Sequence, residues 1–201
     1  MAPPRRQALV FDLGGVIASH DNALLFRRLA AHCTAPDALA RIRGSVADRD
    51  LGTGRIPVRE IHHRLSETLG LTVDWPGFIE LWCSHLGLDF AMLDYVETLS
   101  RDQRVLLFSN TNAEHWDFLV RLSAGRLGRF EAYLSHEIGQ VKPDAEAFLD
   151  VARRAGIEPQ RCLFIDDIAA NIDGARAVGF EALLFTGQEA LEAYLASDGQ
   201  S

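Results

Sequence analysis

The sequence predicts an α/β fold: a parallel β-sheet of the Rossmann-like kind with helices on both faces, and a small helical subdomain inserted after the first strand. Two observations carry this. Four short apolar runs, 8–13 (ALVFDL), 104–108 (RVLLF), 161–165 (RCLFI) and 181–185 (EALLF), have the length and unbroken hydrophobicity of strands buried on both faces. From about residue 90 onward such runs alternate with helical patterns, and parallel strands need a crossover, usually a helix, between them. A chain of 201 residues is long enough to bury roughly 70% of its unfolded surface.

The elements follow in order. Strand 8–13 comes first. The segment 19–88 shows no strand pattern but has helical stretches at 23–33, 37–49, 57–69 and 75–85, with 50–55 (DLGTGR) as a flexible break among them. That is too long for a connecting loop, so residues 18–89 are expected to form a helical cap, leaving 1–17 and 90–201 as the core. After strand 104–108 come a helix at 113–123 and a weaker strand at 132–135. The next helix, 143–155, places Pro143 in its first turn. Phe148, Val151, Ala152 and Ala155 share one face, and Gly156 ends it.

Composition narrows the function. With 20 basic against 28 acidic residues the net charge is −8, and the arginines are scattered, which argues against nucleic acid as a partner. No stretch reaches the ~18 apolar residues of a membrane span. The opening MAPPRRQ sets two arginines before an apolar run, but Asp12 and a Gly pair cut that run short, so a cytoplasmic protein is expected. Cys33, Cys83 and Cys162 form no CxxC pair and read as reduced, mostly buried thiols. Among the 20 basic residues, 19 are Arg and one is Lys. Lys142 therefore marks a place where a compact ammonium serves and a planar guanidinium does not.

In open parallel sheets ligands bind beyond the carboxyl ends of the strands. The residues expected there are Asp12 with Gly14 and Gly15, then Ser109, Asn110 and Thr111, and finally Asp166 and Asp167; Lys142 opens the helix after the weaker strand. Carboxylates converging from two strands repel unless a cation lies between them, and hard oxygen donors suit Mg²⁺. A hydroxyl, backbone N–H groups at a helix start and an ammonium make an anion cradle beside such a metal. Together with a carboxylate free to attack, this set describes phosphoryl transfer to an aspartate.

The runs FDLGGV (11–16), LLFSNT (106–111), VKPD (141–144) and FIDDIAANIDGA (164–175) resemble the four ordered motifs of the haloacid dehalogenase-like hydrolase superfamily. The nearest likeness is to small helical-cap phosphatases, sugar phosphate phosphatases among them, and to the phosphatase domain of soluble epoxide hydrolase. The resemblance implies Asp12 as nucleophile, and Ser109 and Asn110 on the phosphoryl group. It implies Lys142 as the charge that neutralises that group, and Asp12, the Gly14 carbonyl, Asp167 and Asp166 around Mg²⁺. Asn171 is implied as a support for this set. The implied activity is hydrolysis of a small phosphorylated metabolite, a sugar phosphate being one candidate.

One departure stands out. Most phosphatases of this superfamily carry a second Asp two residues after the nucleophile, as general acid and base; here that residue is Gly14. Losing such a group costs roughly 10²- to 10⁴-fold in rate. His20 and His115 are the candidates to replace it, while His62 and His63 are expected on a solvated helix face and His32, His85 and His136 carry no partner signal. Another enzyme class, a signalling module and a reading without catalysis compete. Haloacid dehalogenases also lack the second Asp, but have no use for the pair Asp166 and Asp167. Receiver domains combine similar residues with the acidic pair first and the Lys last. A catalytically weak phosphatase-like scaffold rests on Gly14 alone.

Overall fold

A computed structural model describes residues 6–46 and 49–198. In chain order the elements are β1 (Ala8–Phe11), β2 (Ala18–His20), α1 (Asn22–Ala30), α2 (Ala38–Val46), α3 (Arg49–Gly52), α4 (Val58–Leu69), α5 (Trp75–Cys83) and β3 (Leu86–Leu88). They continue with α6 (Phe90–Leu99), β4 (Val105–Ser109), α7 (Ala113–Leu122), β5 (Glu131–Leu134), α8 (Ser135–Ile138), α9 (Ala145–Ala155), β6 (Cys162–Asp166), α10 (Ala169–Ala177), β7 (Glu181–Leu184) and α11 (Gln188–Asp198).

Five strands form one sheet in the order β5-β4-β1-β6-β7, and every pairing is parallel. Alternate residues of the strands feed two cores, as the two-residue period of a strand requires. Val10, Phe108 and Phe164 pack with Phe148 of α9 and Ile172 of α10 on one face. Phe11, Leu107 and Ile165 pack with Leu93 of α6, Leu119 of α7 and Leu191 of α11 on the other. The register sets Phe11 beside Leu107 and Ile165, so β1, β4 and β6 end at one edge. Helices α1 to α5 enclose a third core built on Leu29, Ile42, Ile61, Phe78 and Trp82. No helix among the described residues is long and apolar enough to cross a membrane.

Four expectations need correction. The 19–88 segment does contain strand: β2 and β3 pair antiparallel at its two roots, Ala18 with Leu88 and His20 with Leu86. Three residues each are too few to show a period. The supposed flexible break is an anchored contact. It holds the single turn α3, Ser135 Oγ donates to the Gly52 carbonyl at 2.6 Å, and Gly54 (φ 72°) lies so close to the His136 carbonyl that a Cβ would collide with it. Helix α9 starts at Ala145 behind the N-cap residue Asp144, which leaves Pro143 before the helix rather than in its first turn. His62, expected on a solvated face, packs against Trp75 and Phe78 and bonds the Val73 carbonyl at 3.0 Å. Residues 1–5, 47–48 and 199–201, which the sequence reading assigns to the core and to the 37–49 helix, lie outside the described residues.

Candidate active site

Asp12 follows the central strand and is 6% exposed. Its Oδ1 accepts from the Leu13 N–H at 2.7 Å and lies 2.8 Å from Lys142 Nζ. Oδ2 accepts nothing from the described residues. Burial pushes the Asp12 carboxyl up to about 6; Lys142 pulls against that shift and the Asp166 carboxylate adds to it. At neutral pH the group is ionised, with one oxygen pinned and one unspent.

Lys142 reaches this point from the loop before α9, across a cis Lys142–Pro143 peptide. Its ammonium, with the side chain 1% exposed, also donates to Asp166 Oδ2 at 2.7 Å and to the Phe108 carbonyl at 2.9 Å. Three acceptors for three N–H groups complete its hydrogen bonding. Phe108 and Phe164 lie 5.2 and 5.3 Å away, ring centroid to Nζ. An isolated Lys in an Arg-rich chain thus occupies a dry socket shaped for a point charge.

Asp166, at 0% exposure, accepts from Lys142, from Asn171 Nδ2 at 3.0 and 2.9 Å, and from the Ile168 N–H at 2.8 Å. Asp166, expected beside the metal, thus has its oxygens already bonded by Lys142, Asn171 and the Ile168 N–H. Asp167 is exposed and lies over Gly15 (φ 75°), where any Cβ would collide with its carboxylate. Asp12, Asp166 and Asp167 each place a carboxylate oxygen within 4.8 Å of the other two. The Gly14 carbonyl accepts no hydrogen bond from the described residues. Hard oxygen donors around a space that only glycine leaves clear fit a small dication.

Ser109 and Asn110 leave β4 on the other side of Asp12. The Ser109 side chain is buried at the cavity wall with no hydrogen-bond partner among the described residues. The Asn110 side chain is already bonded. Its Oδ1 accepts from the Lys142 N–H at 2.9 Å and its Nδ2 donates to the Lys142 carbonyl at 2.8 Å. The side chain clamps the lysine loop, and what remains for an anion is the Asn110 backbone N–H. Ser135 Oγ accepts from the Thr111 N–H at 2.9 Å, which ties this loop to the α3 contact.

Asp12, Gly14, Ser109, Asn110, Lys142 and Asn171 line a cavity of about 250 Å³, whose other walls include His20, Asn22, His85, Leu86, His115 and Leu119. His115 is committed: its Nδ1 accepts from Asn112 Nδ2 at 3.1 Å, its Nε2 donates to the Trp82 carbonyl at 3.1 Å, and it stacks on Trp82. Burial, then the neighbouring His85, lowers it to about 3. It is a neutral structural imidazole at neutral pH, which removes it as a replacement acid. His20 stays in play, because a Cβ placed on Gly14 would stand 3.6 Å from its Nδ1. The sequence reading set His85 aside for want of a partner. The missing clue was β3, which turns His85 back to the strand ends.

Known proteins resemble this chain along most of its length. D-ribitol-5-phosphate phosphatase of Bacteroides thetaiotaomicron is 26% identical over 183 residues, 86% of this chain and 88% of the relative. A predicted HAD-like family hydrolase from Porphyromonas gingivalis superposes with a TM-score of 0.83 at 28% identity, covering 96% of this chain and 98% of its own. A HAD family enzyme of B. thetaiotaomicron, solved with magnesium and inorganic phosphate, gives 0.79 at 25% identity over 91% and 96% of the two chains. Residues 7–179 match the haloacid dehalogenase-like hydrolase profile, and the chain belongs to that family of hydrolases.

Proposed function

We propose that the protein is a Mg²⁺-dependent phosphatase acting on a small phosphorylated metabolite through an aspartyl-phosphate on Asp12. The observation that carries this is Asp12 itself, a buried carboxylate with Oδ1 tied to Lys142 and Leu13 and Oδ2 free toward the cavity. Oδ2 forms the bond to phosphorus, the ester P–O bond breaks, and the leaving oxygen departs with its electron pair and takes up a proton. Water then attacks the phosphorus of the acyl phosphate, which frees Asp12 and inorganic phosphate. Ser109 and the Asn110 N–H face the oxygens of the transferring group, and Lys142, whose three N–H groups are spent on Asp12, Asp166 and the Phe108 carbonyl, adds its positive charge beside them. Asp166 and Asn171 position Lys142. Asp12, Asp167 and the Gly14 carbonyl would hold Mg²⁺, which supplies positive charge against the phosphoryl oxygens. The relative that hydrolyses ribitol 5-phosphate supports a polyol or sugar phosphate as substrate class. The test is phosphate release from an aryl phosphate with and without chelator. Release that chelator stops and Mg²⁺ restores is expected; no release, or release indifferent to chelator, refutes the reading.

Two outcomes belong with this mechanism. Asp167→Ala is expected to raise the Mg²⁺ concentration for half-maximal rate by about 10-fold or more, as loss of one of few charged ligands should. An unchanged metal titration would place Asp167 outside the metal shell. The second concerns Gly14. Without a carboxyl group there, charge builds on the leaving oxygen unless another group supplies the proton, and His20, whose imidazole can give and take one, is the side chain beside Gly14. His20→Ala is expected to steepen the dependence of rate on leaving-group pKa across a series of aryl phosphates. Equal slopes in the two proteins would show that His20 delivers no proton.

A further inference from the structure

His85 stands between α5 and β3 on the wall of the same cavity, 7% exposed. Its Nδ1 is one of two buried side-chain nitrogens or oxygens among the described residues that have no hydrogen-bond partner. The Trp82 carbonyl, which influences the His85 ring, has a hydrogen bond from His115 Nε2 at 3.1 Å. The His85 ring lies edge-on to His115, 5.2 Å between centroids. Burial, the main effect, and the nearby His20 and Arg28 lower the His85 pKa, against the opposing influence of Trp82 and Asp21. At neutral pH it is an uncharged ring with one N–H and one lone pair, the wrong chemistry for phosphate and the right one for a hydroxyl.

The position is rigid. The His85 carbonyl accepts from the Asp21 N–H at 3.1 Å, and the Ser84 carbonyl accepts from Arg28 at 2.8 Å. The register of β2 with β3 sets His20 opposite Leu86, and Asn22 opens α1 just beyond. Polar side chains from three segments thus meet in a cavity that also holds Asp12 and Lys142. Buried polar groups are bonded in native proteins, and an exception on a ligand-binding wall points to a bond the ligand completes.

We infer that His85 bonds a hydroxyl on the leaving-group half of the substrate and so selects short polyol or sugar phosphates over plain alkyl phosphates. This rests on the phosphatase reading above. The cavity, about 250 Å³, is smaller than the sites that enclose drug-sized ligands and suits a short chain.

The test compares kcat/KM for ribitol 5-phosphate and glycerol 3-phosphate with kcat/KM for unsubstituted alkyl phosphates of equal chain length, in the full chain with Mg²⁺. The readout is the ratio within each protein, which is independent of any overall change in rate. The wild type is expected to favour at least one hydroxylated ester by 10-fold or more. His85→Leu and His85→Ala should reduce that ratio by about 10-fold, and His85→Asn, which restores a donor and an acceptor, should keep most of it. Either apolar variant suffices if the other fails to fold. A wild type that hydrolyses all these esters with no preference, or a preference that survives in the apolar variants, overturns the inference while leaving the phosphatase reading intact. A wild type that releases phosphate from no ester overturns both.

Discussion

Asp12→Asn is expected to lower phosphate release by about 10⁴-fold or more, because the amide keeps the volume of the carboxylate but is not a nucleophile. The same variant is expected to be more stable than the wild type in the absence of metal. The folded-state pKa of Asp12 is raised, so between its unfolded value of 3.8 and about 6 the folded state binds more protons than the unfolded one. The favourable contribution of the protonated form is present below 3.8 and is lost as pH rises through 6. At pH 7.5 the charged wild-type group therefore costs of order 1–3 kcal/mol, and the amide removes that cost. Thermal melts in chelator should show a higher Tm for Asp12→Asn at pH 7.5 and a narrowing difference toward pH 4. Equal activity in the two proteins would remove Asp12 from the chemistry, and a lower Tm at pH 7.5 would contradict the account of its burial.

Lys142→Arg is expected to fail although it keeps the charge. The ammonium fills a socket bounded by Asp12, Asp166 and the Phe108 carbonyl at 2.7 to 2.9 Å. A guanidinium is longer and planar, and forcing it in displaces Phe108 and Phe164 or the Asp12 carboxylate. Overpacking of this kind typically costs 1–3 kcal/mol. A loss of at least about 10²-fold in kcat follows from misplacing the nucleophile. Lys142→Ala should be worse for stability, by about 3–5 kcal/mol, because two buried carboxylates then face each other with no cation between them. Activity of Lys142→Arg within a few-fold of wild type would show that the socket tolerates either cation.

Much of this arrangement was legible in the chain, for reasons that can be named. Asp12 stands out because a carboxylate closing a continuous apolar run has no structural use. Lys142 stands out because every other basic residue is Arg. The parallel sheet then brings both to one edge, since parallel strands all end on the same side. Less legible was the division of labour within the cluster. Asp166 and Asp167 look alike in sequence. The strand's last residue points into the interior toward Lys142 and Asn171, while the next lies exposed over Gly15. Asn110 was expected on the phosphoryl group from the resemblance carried by LLFSNT. Only the tertiary fold shows its amide spent at both ends on the Lys142 backbone. His85 was invisible because β2 and β3 pair through three residues each, across more than 60 residues of intervening chain. No local pattern records such a contact.

The most direct test of the central claim is to find the phosphoryl group itself. The enzyme, mixed with an aryl phosphate and Mg²⁺ and quenched in acid within a single turnover, would be digested and its peptides read by mass spectrometry. The account predicts one phosphoryl group on the carboxylate of Asp12 in the wild type, and none in Asp12→Asn. Phosphate released with no labelled peptide at any quench time, or a label fixed on any residue other than Asp12, would contradict it.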